Sequence, residues 1–246
     1  MLTTATPIID QLISDSLKET DEASLRAKYS EQDEFVIVDE FLPLEVLSRW
    51  ELELARLKPH VHRNYLPGHK KGGSVAYQTM NALAPSITRV YHSAPLLGFL
   101  RRVVGAEVNE CPSSDPHRCA LYAYTEEGDH MGWHYDTSYY QGRRYTVLIG
   151  LVDQSSCRLE YQLYCDDRDH KPETHVLALT PGTLVIFNGD KLYHRITPLR
   201  RGERRIALTL EYVTDVRVAP LLRFVSTMKD AIVYFGFRSL FQRGAA

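Results

Sequence analysis

In Gly132-Trp133-His134-Tyr135-Asp136 an imidazole and a carboxylate stand two residues apart, so on an extended segment both point to one face and can share one cation. A third ligand must come from elsewhere. His194, in Lys191-Leu192-Tyr193-His194, lies 58 residues beyond Asp136 on a later apolar segment. Two imidazoles and one carboxylate on one side of a divalent ion leave three coordination positions open to reactants. Ten residues past His194 stands Arg204, whose planar guanidinium fork suits bidentate capture of a carboxylate. Taken singly, His134 and His194 read as hydrogen-bonded structural histidines and Asp136 as a turn residue. Taken together with Arg204 at its offset, they read as a metal centre with an anion anchor beside it.

Other residues carry weaker signals. His60 and His62 repeat the spacing of two, but in a Lys-rich stretch without a third ligand, which reads as solvated surface. Tyr122 and Tyr124 share a strand face, either as a core pair or with one of them touching a bound molecule. The stretch 137–144 follows directly on Asp136 and is placed either at a substrate entrance or as an ordinary turn.

The elements that must hold these side chains in place are legible from periodicity. Segments 7–18, 22–29 and 44–57 have helical spacing, and Phe35-Val36-Ile37-Val38 reads as a short strand. Residues 58–80, broken by Pro59, Pro67, Gly68, Gly72 and Gly73, read as a long surface loop. A helix is expected over 94–104, capped by Ser93 and stopped by Gly105. From about residue 107 the character changes to short strands near 118–124, 131–136, 145–152, 158–164, 174–179, 183–187, 192–196 and 204–212, the rhythm of an antiparallel barrel or sandwich. After Pro220 helical spacing returns, with Leu221, Phe224, Met228, Ala231 and Phe235 on one stripe among basic residues. Such a stripe reads as docking on the chain's own barrel or on the partner subunit of a homodimer, more readily than on a membrane surface.

Composition sets the class. A chain of 246 residues with 44% apolar and 24% charged residues can bury a large core, so disorder and small disulfide scaffolds are excluded. One domain is expected over 1–246, with a largely helical part at 1–105, a β-barrel core at 106–216 and a helical segment at 217–246. The 29 basic and 31 acidic residues leave a formal charge of −2, which gives no electrostatic footprint for nucleic acid. Four cysteines without a C-x-x-C pair suit a reduced, cytoplasmic setting, and no apolar run is long enough to span a bilayer.

Over residues 118–212 the sequence resembles the Fe(II)/2-oxoglutarate-dependent oxygenases, whose pattern is H-x-D, an interval, then H with an Arg ten further on. Gly128, Pro181-Gly-Thr-Leu-Val-Ile-Phe187, Pro198 and Gly202 add to the match. The resemblance implies a mainly β fold with flanking helices (α+β), a double-stranded β-helix or jelly-roll barrel. It implies Fe(II) held by His134, Asp136 and His194, 2-oxoglutarate as cosubstrate anchored by Arg204, and dioxygen as oxidant. The activity it implies is hydroxylation or another oxidation of a C–H bond of a small-molecule substrate. Tyr124-Thr-Glu-Glu-Gly-Asp129 and the short length are similar to small microbial oxygenases acting on free amino acids. Halogenating relatives replace the ligand carboxylate by a small residue, so Asp136 argues against halogenation. Two features depart from the pattern: Ile206 stands where many members carry Ser or Thr, so Tyr122, Tyr124 or Thr146 is expected to supply the missing donor, and Cys157-Arg-Leu-Glu160 replaces a Gly-Gly pair.

Two other classes compete: a cupin-like metalloenzyme that needs the triad but no 2-oxoglutarate, and a non-catalytic barrel used as a binding module. Neither gives Arg204 a task.

Overall fold

The computed structural model describes residues 6–218, so the helical segment expected at 217–246 lies almost wholly outside the described residues. Amphipathic sequences form α1 (Thr6–Lys18), α2 (Glu22–Glu31), α3 (Leu44–Leu57) and α6 (Ala94–Val104). The first strand, β1 (Phe35–Val38), lies between α2 and α3. In α6 the Ser93 hydroxyl accepts from the Leu96 amide, and Gly105 closes the helix at φ +67°, a left-handed conformation that glycine adopts without a Cβ penalty. Its Leu96, Phe99, Leu100 and Val103 point into the core.

The β-rich half follows its alternation closely: β5 (Cys119–Tyr124), β6 (His130–His134), β7 (Arg144–Gln154), β8 (Leu159–Leu163), β9 (Glu173–Leu177), β10 (Leu184–Asn188), β11 (Tyr193–Ile196) and β12 (Arg204–Val213). A two-residue strand, β4 (Asn109–Glu110), pairs with the end of β12.

Residues 58–80 are not a loop. They hold one 3₁₀ turn, the hairpin β2 (His62–Leu66) and β3 (Lys70–Val75), and the start of α4 (Tyr77–Leu83), after which Pro85 opens α5 (Pro85–Arg89). The glycines and lysines misled because β3 is an internal strand, paired with β2, β5 and β6, and its small residues let it pass close to its neighbours. Gly72, for instance, lies where a Cβ would come within 3.2 Å of the Tyr124 ring. Glu53 of α3 accepts from the amides of Ser86 and Ile87, serving donors that the first turn of α5 leaves open.

The strands run in the order β1-β10-β7-β12-β5-β3-β6-β11-β8-β9, antiparallel at each pairing. The sheet folds over on itself where β3 meets β6, giving the double-stranded β-helix with helices on its outer side. Two apolar cores follow. One lies between the helices and the outer face of the larger sheet and includes Trp50, Phe99, Val147, Ile186, Leu208 and Leu210. The other fills the interior between the two sheets and includes Tyr124, Met131, Leu148, Tyr161, Phe187 and Ala207. No described helix is long and apolar enough to cross a membrane.

Candidate functional site

His134 closes β6 and His194 sits directly opposite on β11, where a register irregularity after His194 breaks the ladder. The ligand atoms of His134, Asp136 and His194 lie within 4.8 Å of one another. Asp136 falls just past the end of β6 and is brought back to the histidines by the turn after β10. There Gly189 lets the backbones touch, since a Cβ on it would meet the Asp136 carbonyl at 2.8 Å.

Each imidazole has one nitrogen committed. The Nδ1 of His134 pairs with the Gly132 carbonyl at 2.8 Å and that of His194 with the Leu192 carbonyl at 3.0 Å. A carbonyl only accepts, so both Nδ1 atoms carry a proton and both Nε2 atoms face the carboxylate, 3.4 Å from Asp136 Oδ1 and 3.9 Å from its Oδ2. Burial, with the neighbouring His134, brings His194 down to about 4. Burial works to raise the Asp136 carboxyl, but the two imidazoles and Arg144 hold it well below the ordinary carboxylate range. Two imidazoles with their Nε2 atoms turned to one carboxylate are a donor set that a divalent iron takes, so the residues present fit the ion.

Thr146 donates to Asp136 Oδ2 at 3.0 Å and also touches Glu211 Oε2 at 3.1 Å; Arg144 Nε donates to the same Glu211 oxygen at 2.7 Å. The Thr146 hydroxyl thus lies between the carboxylates of Asp136 and Glu211. Burial pushes Glu211 up to about 7 against the pull of Arg144.

Arg204 requires a correction. Its side chain is exposed, whereas Arg205 is 3% exposed and lies over the Tyr124 ring at 5.5 Å inside the barrel. Arg205 pairs with Tyr124 and Ala207 with Tyr122, so the odd-numbered residues of β12 face the interior. An offset of ten counted across the 197–203 connection does not fix strand parity, and a bulge between Ile206 and Ala207 shifts the pairing with β7 further.

Tyr122 and Tyr124 both face the chamber. The Tyr122 hydroxyl meets His117 Nδ1 at 3.2 Å, and burial pushes Tyr124 up to about 12. Lys70 was hidden by the reading of 58–80 as a loop: it is fully buried on β3 opposite Met131, with its ammonium 5.2 Å from the centre of the Tyr122 ring, and burial brings it down to about 7. The Pro67-Gly68 turn between two short polar runs was the one sequence signal for that hairpin. His60 and His62 are exposed, as a solvated reading requires. In the 137–144 stretch, Tyr140 donates to Asp115 at 2.7 Å and the Ser138 amide donates to Asp190 at 2.8 Å.

The model of the 2OG-Fe(II) oxygenase superfamily matches residues 119–212, and that described as Halogenase D matches residues 17–141, just over half of the chain. Among solved structures of similar fold is the epimerase SnoN from nogalamycin biosynthesis, 14% identical over 78% of this chain and 80% of that one, with a TM-score of 0.64. Another is AviO1 from Streptomyces viridochromogenes, 17% identical over 81% and 97%, with a TM-score of 0.62. A prolyl hydroxylase from Trichoplax adhaerens is 14% identical over 92% and 95%, with a TM-score of 0.58. At these identities the likeness establishes the fold. No curated protein matches the chain by sequence. The chain belongs to the 2OG-Fe(II) oxygenase superfamily and to the Halogenase D family, and it is an enzyme whose cofactors are Fe(II), 2-oxoglutarate and dioxygen.

Proposed function

We propose that the protein hydroxylates, or otherwise oxidises, a C–H bond of a carboxylate-bearing small molecule such as a free amino acid or a natural-product acid, with iron held by His134, Asp136 and His194. The observation that carries this reading is the triad itself, with both Nδ1 atoms committed to backbone carbonyls and both Nε2 atoms turned to one carboxylate. When bound, the iron and cosubstrate supply dioxygen activation, with 2-oxoglutarate converted to succinate and carbon dioxide. The chain's own residues bind and orient. Arg205 takes the distal carboxylate of 2-oxoglutarate in place of Arg204, as a guanidinium in a poorly solvated chamber favours a paired carboxylate. Tyr124 beneath it keeps the fork in place.

Lys70 supports an acidic substrate. A buried amine near 7 is readily recharged by a carboxylate brought beside it, because an opposite charge raises an amine's pKa as burial lowers it. Asp136 supports oxygen insertion over halogenation despite the Halogenase D match, since this chain keeps a carboxylate where halogenating relatives carry a small residue. A cytoplasmic setting goes with this reading.

Succinate release, measured over a panel of free amino acids and small acids with and without added chloride, tests the proposal. The expected outcome is Fe(II)-dependent succinate matched by a hydroxylated product. A chlorinated product would overturn the assignment of Asp136. No weak visible band on anaerobic mixing of Fe(II) and 2-oxoglutarate would overturn the oxygenase centre and leave the cupin-like reading.

A further inference from the structure

Asp136 has two oxygens, and the structure treats them differently. Oδ1 lies 3.4 Å from His134 Nε2 and has no hydroxyl beside it among the described residues, while Oδ2, 3.9 Å from His194 Nε2, accepts from the Thr146 hydroxyl at 3.0 Å. That hydroxyl is one proton shared between two reachable carboxylates, because Glu211 Oε2 is 3.1 Å away. Arg144 biases the sharing: its Nε donates to the same Glu211 oxygen at 2.7 Å, which lowers that oxygen's demand for a second donor and favours donation of the hydroxyl to Asp136. Thr146, Glu211 and Arg144 are all buried, on the adjacent strands β7 and β12, which hold Thr146 directly opposite Glu211.

We propose that Thr146, backed by the Glu211–Arg144 ion pair, is the positioning residue that limits Asp136 to one oxygen at the ion. This rests on the iron-centre reading above. With Oδ2 committed to a hydroxyl, the carboxylate would offer one oxygen to a divalent ion, and the two imidazoles and that oxygen would leave room beside it for a 2-oxo acid. Without the hydroxyl the carboxylate is free to turn and offer both oxygens, which closes a position and opposes the cosubstrate. The prediction is particular: loss of the hydroxyl harms cosubstrate binding and not iron binding.

The test uses the whole chain under anaerobic conditions. Fe(II) affinity is measured by direct titration, and 2-oxoglutarate affinity of the iron-loaded protein by the visible band of the chelate, in wild type, Thr146→Val and Thr146→Ser. Valine matches the shape of threonine without the hydroxyl, whereas serine keeps it. The expected result for Thr146→Val is a cosubstrate affinity weakened roughly 10–100-fold, the range for removal of a group that orients a metal ligand, with iron affinity held or tightened. Thr146→Ser restores the wild-type value within about threefold, a small part of that range. Wild-type cosubstrate affinity in Thr146→Val overturns the proposal, and so does a parallel loss of iron, which marks a site that has merely become disordered. If the valine variant does not fold, Thr146→Ala is read on the same two titrations. Absence of the chelate band in wild type is a different failure, that of the iron-centre reading itself.

Discussion

Strand β12 presents two faces that serve different ends. Its even-numbered residues, Ile206, Leu208, Leu210 and Tyr212, lie against the helices in the outer core, while Arg205, Ala207, Thr209 and Glu211 line the chamber between the sheets. The outer face is held by apolar burial, which tolerates chemistry of similar shape. The inner face carries a guanidinium and a carboxylate in a nearly dry space, where each must find a partner or lose several kcal/mol. The difference teaches that this strand separates stability from function by parity alone. A change of one position in sequence should therefore exchange one kind of effect for the other.

The sharpest break of that comparison is at Arg205. If it pairs with the distal carboxylate of 2-oxoglutarate, Arg205→Ala costs roughly 2–5 kcal/mol, a thirty-fold to several-thousand-fold loss of cosubstrate affinity, with iron binding retained. Unchanged affinity in an anaerobic titration would remove Arg205 from the site. On the opposite face, Leu208→Ala is expected to cost about 2–5 kcal/mol of stability in a denaturant melt, because its side chain is fully buried among the helices. The KM for cosubstrate should stay within a few-fold, and a change in KM as large as that of Arg205→Ala would erase the division between faces.

The third prediction concerns pH. Folded His194 titrates near 4, below the ordinary value of 6.5, so between these values the unfolded chain binds a proton that the metal-free folded chain refuses. Stability is therefore present above about 6.5 and falls as pH drops toward 4, by about 3 kcal/mol in all. Denaturant melts of the metal-free protein from pH 7 to pH 4 should show the slope, and His194→Gln should flatten it. A slope that survives that substitution assigns the loss to another group. The smallest effect is expected at Arg204: its exposed side chain makes Arg204→Ala worth within about 0.5 kcal/mol in stability, with no change in cosubstrate affinity. A large effect there would restore the offset of ten and reverse the assigned parity.

Much of the barrel was legible because alternation of apolar and polar residues is a local property. The strands read near 118–124, 145–152 and 204–212 appear as β5, β7 and β12 with ends moved by a residue or two. The parity of β12 was also legible, in the run Ile206, Leu208, Leu210 and Tyr212, which must share the face turned to the core and so puts Arg205 on the other. Counting from His194 missed it because the count crosses a connection of unfixed geometry. The β2–β3 hairpin was not legible, since its Lys, Gly and His residues carry no apolar pattern and only the passage of β3 between neighbouring strands buries Lys70.

By itself the sequence determined the candidate ligand types and their order, His134, Asp136 and His194, together with the strands that carry the two histidines. Side-chain chemistry and local periodicity belong to the chain wherever it folds. The tertiary structure alone decided which oxygen of Asp136 the Thr146 hydroxyl takes, and that Lys70 is buried at all. Those outcomes depend on strand register and on contacts between residues far apart along the chain, as between Thr146 and Glu211, which no local pattern encodes.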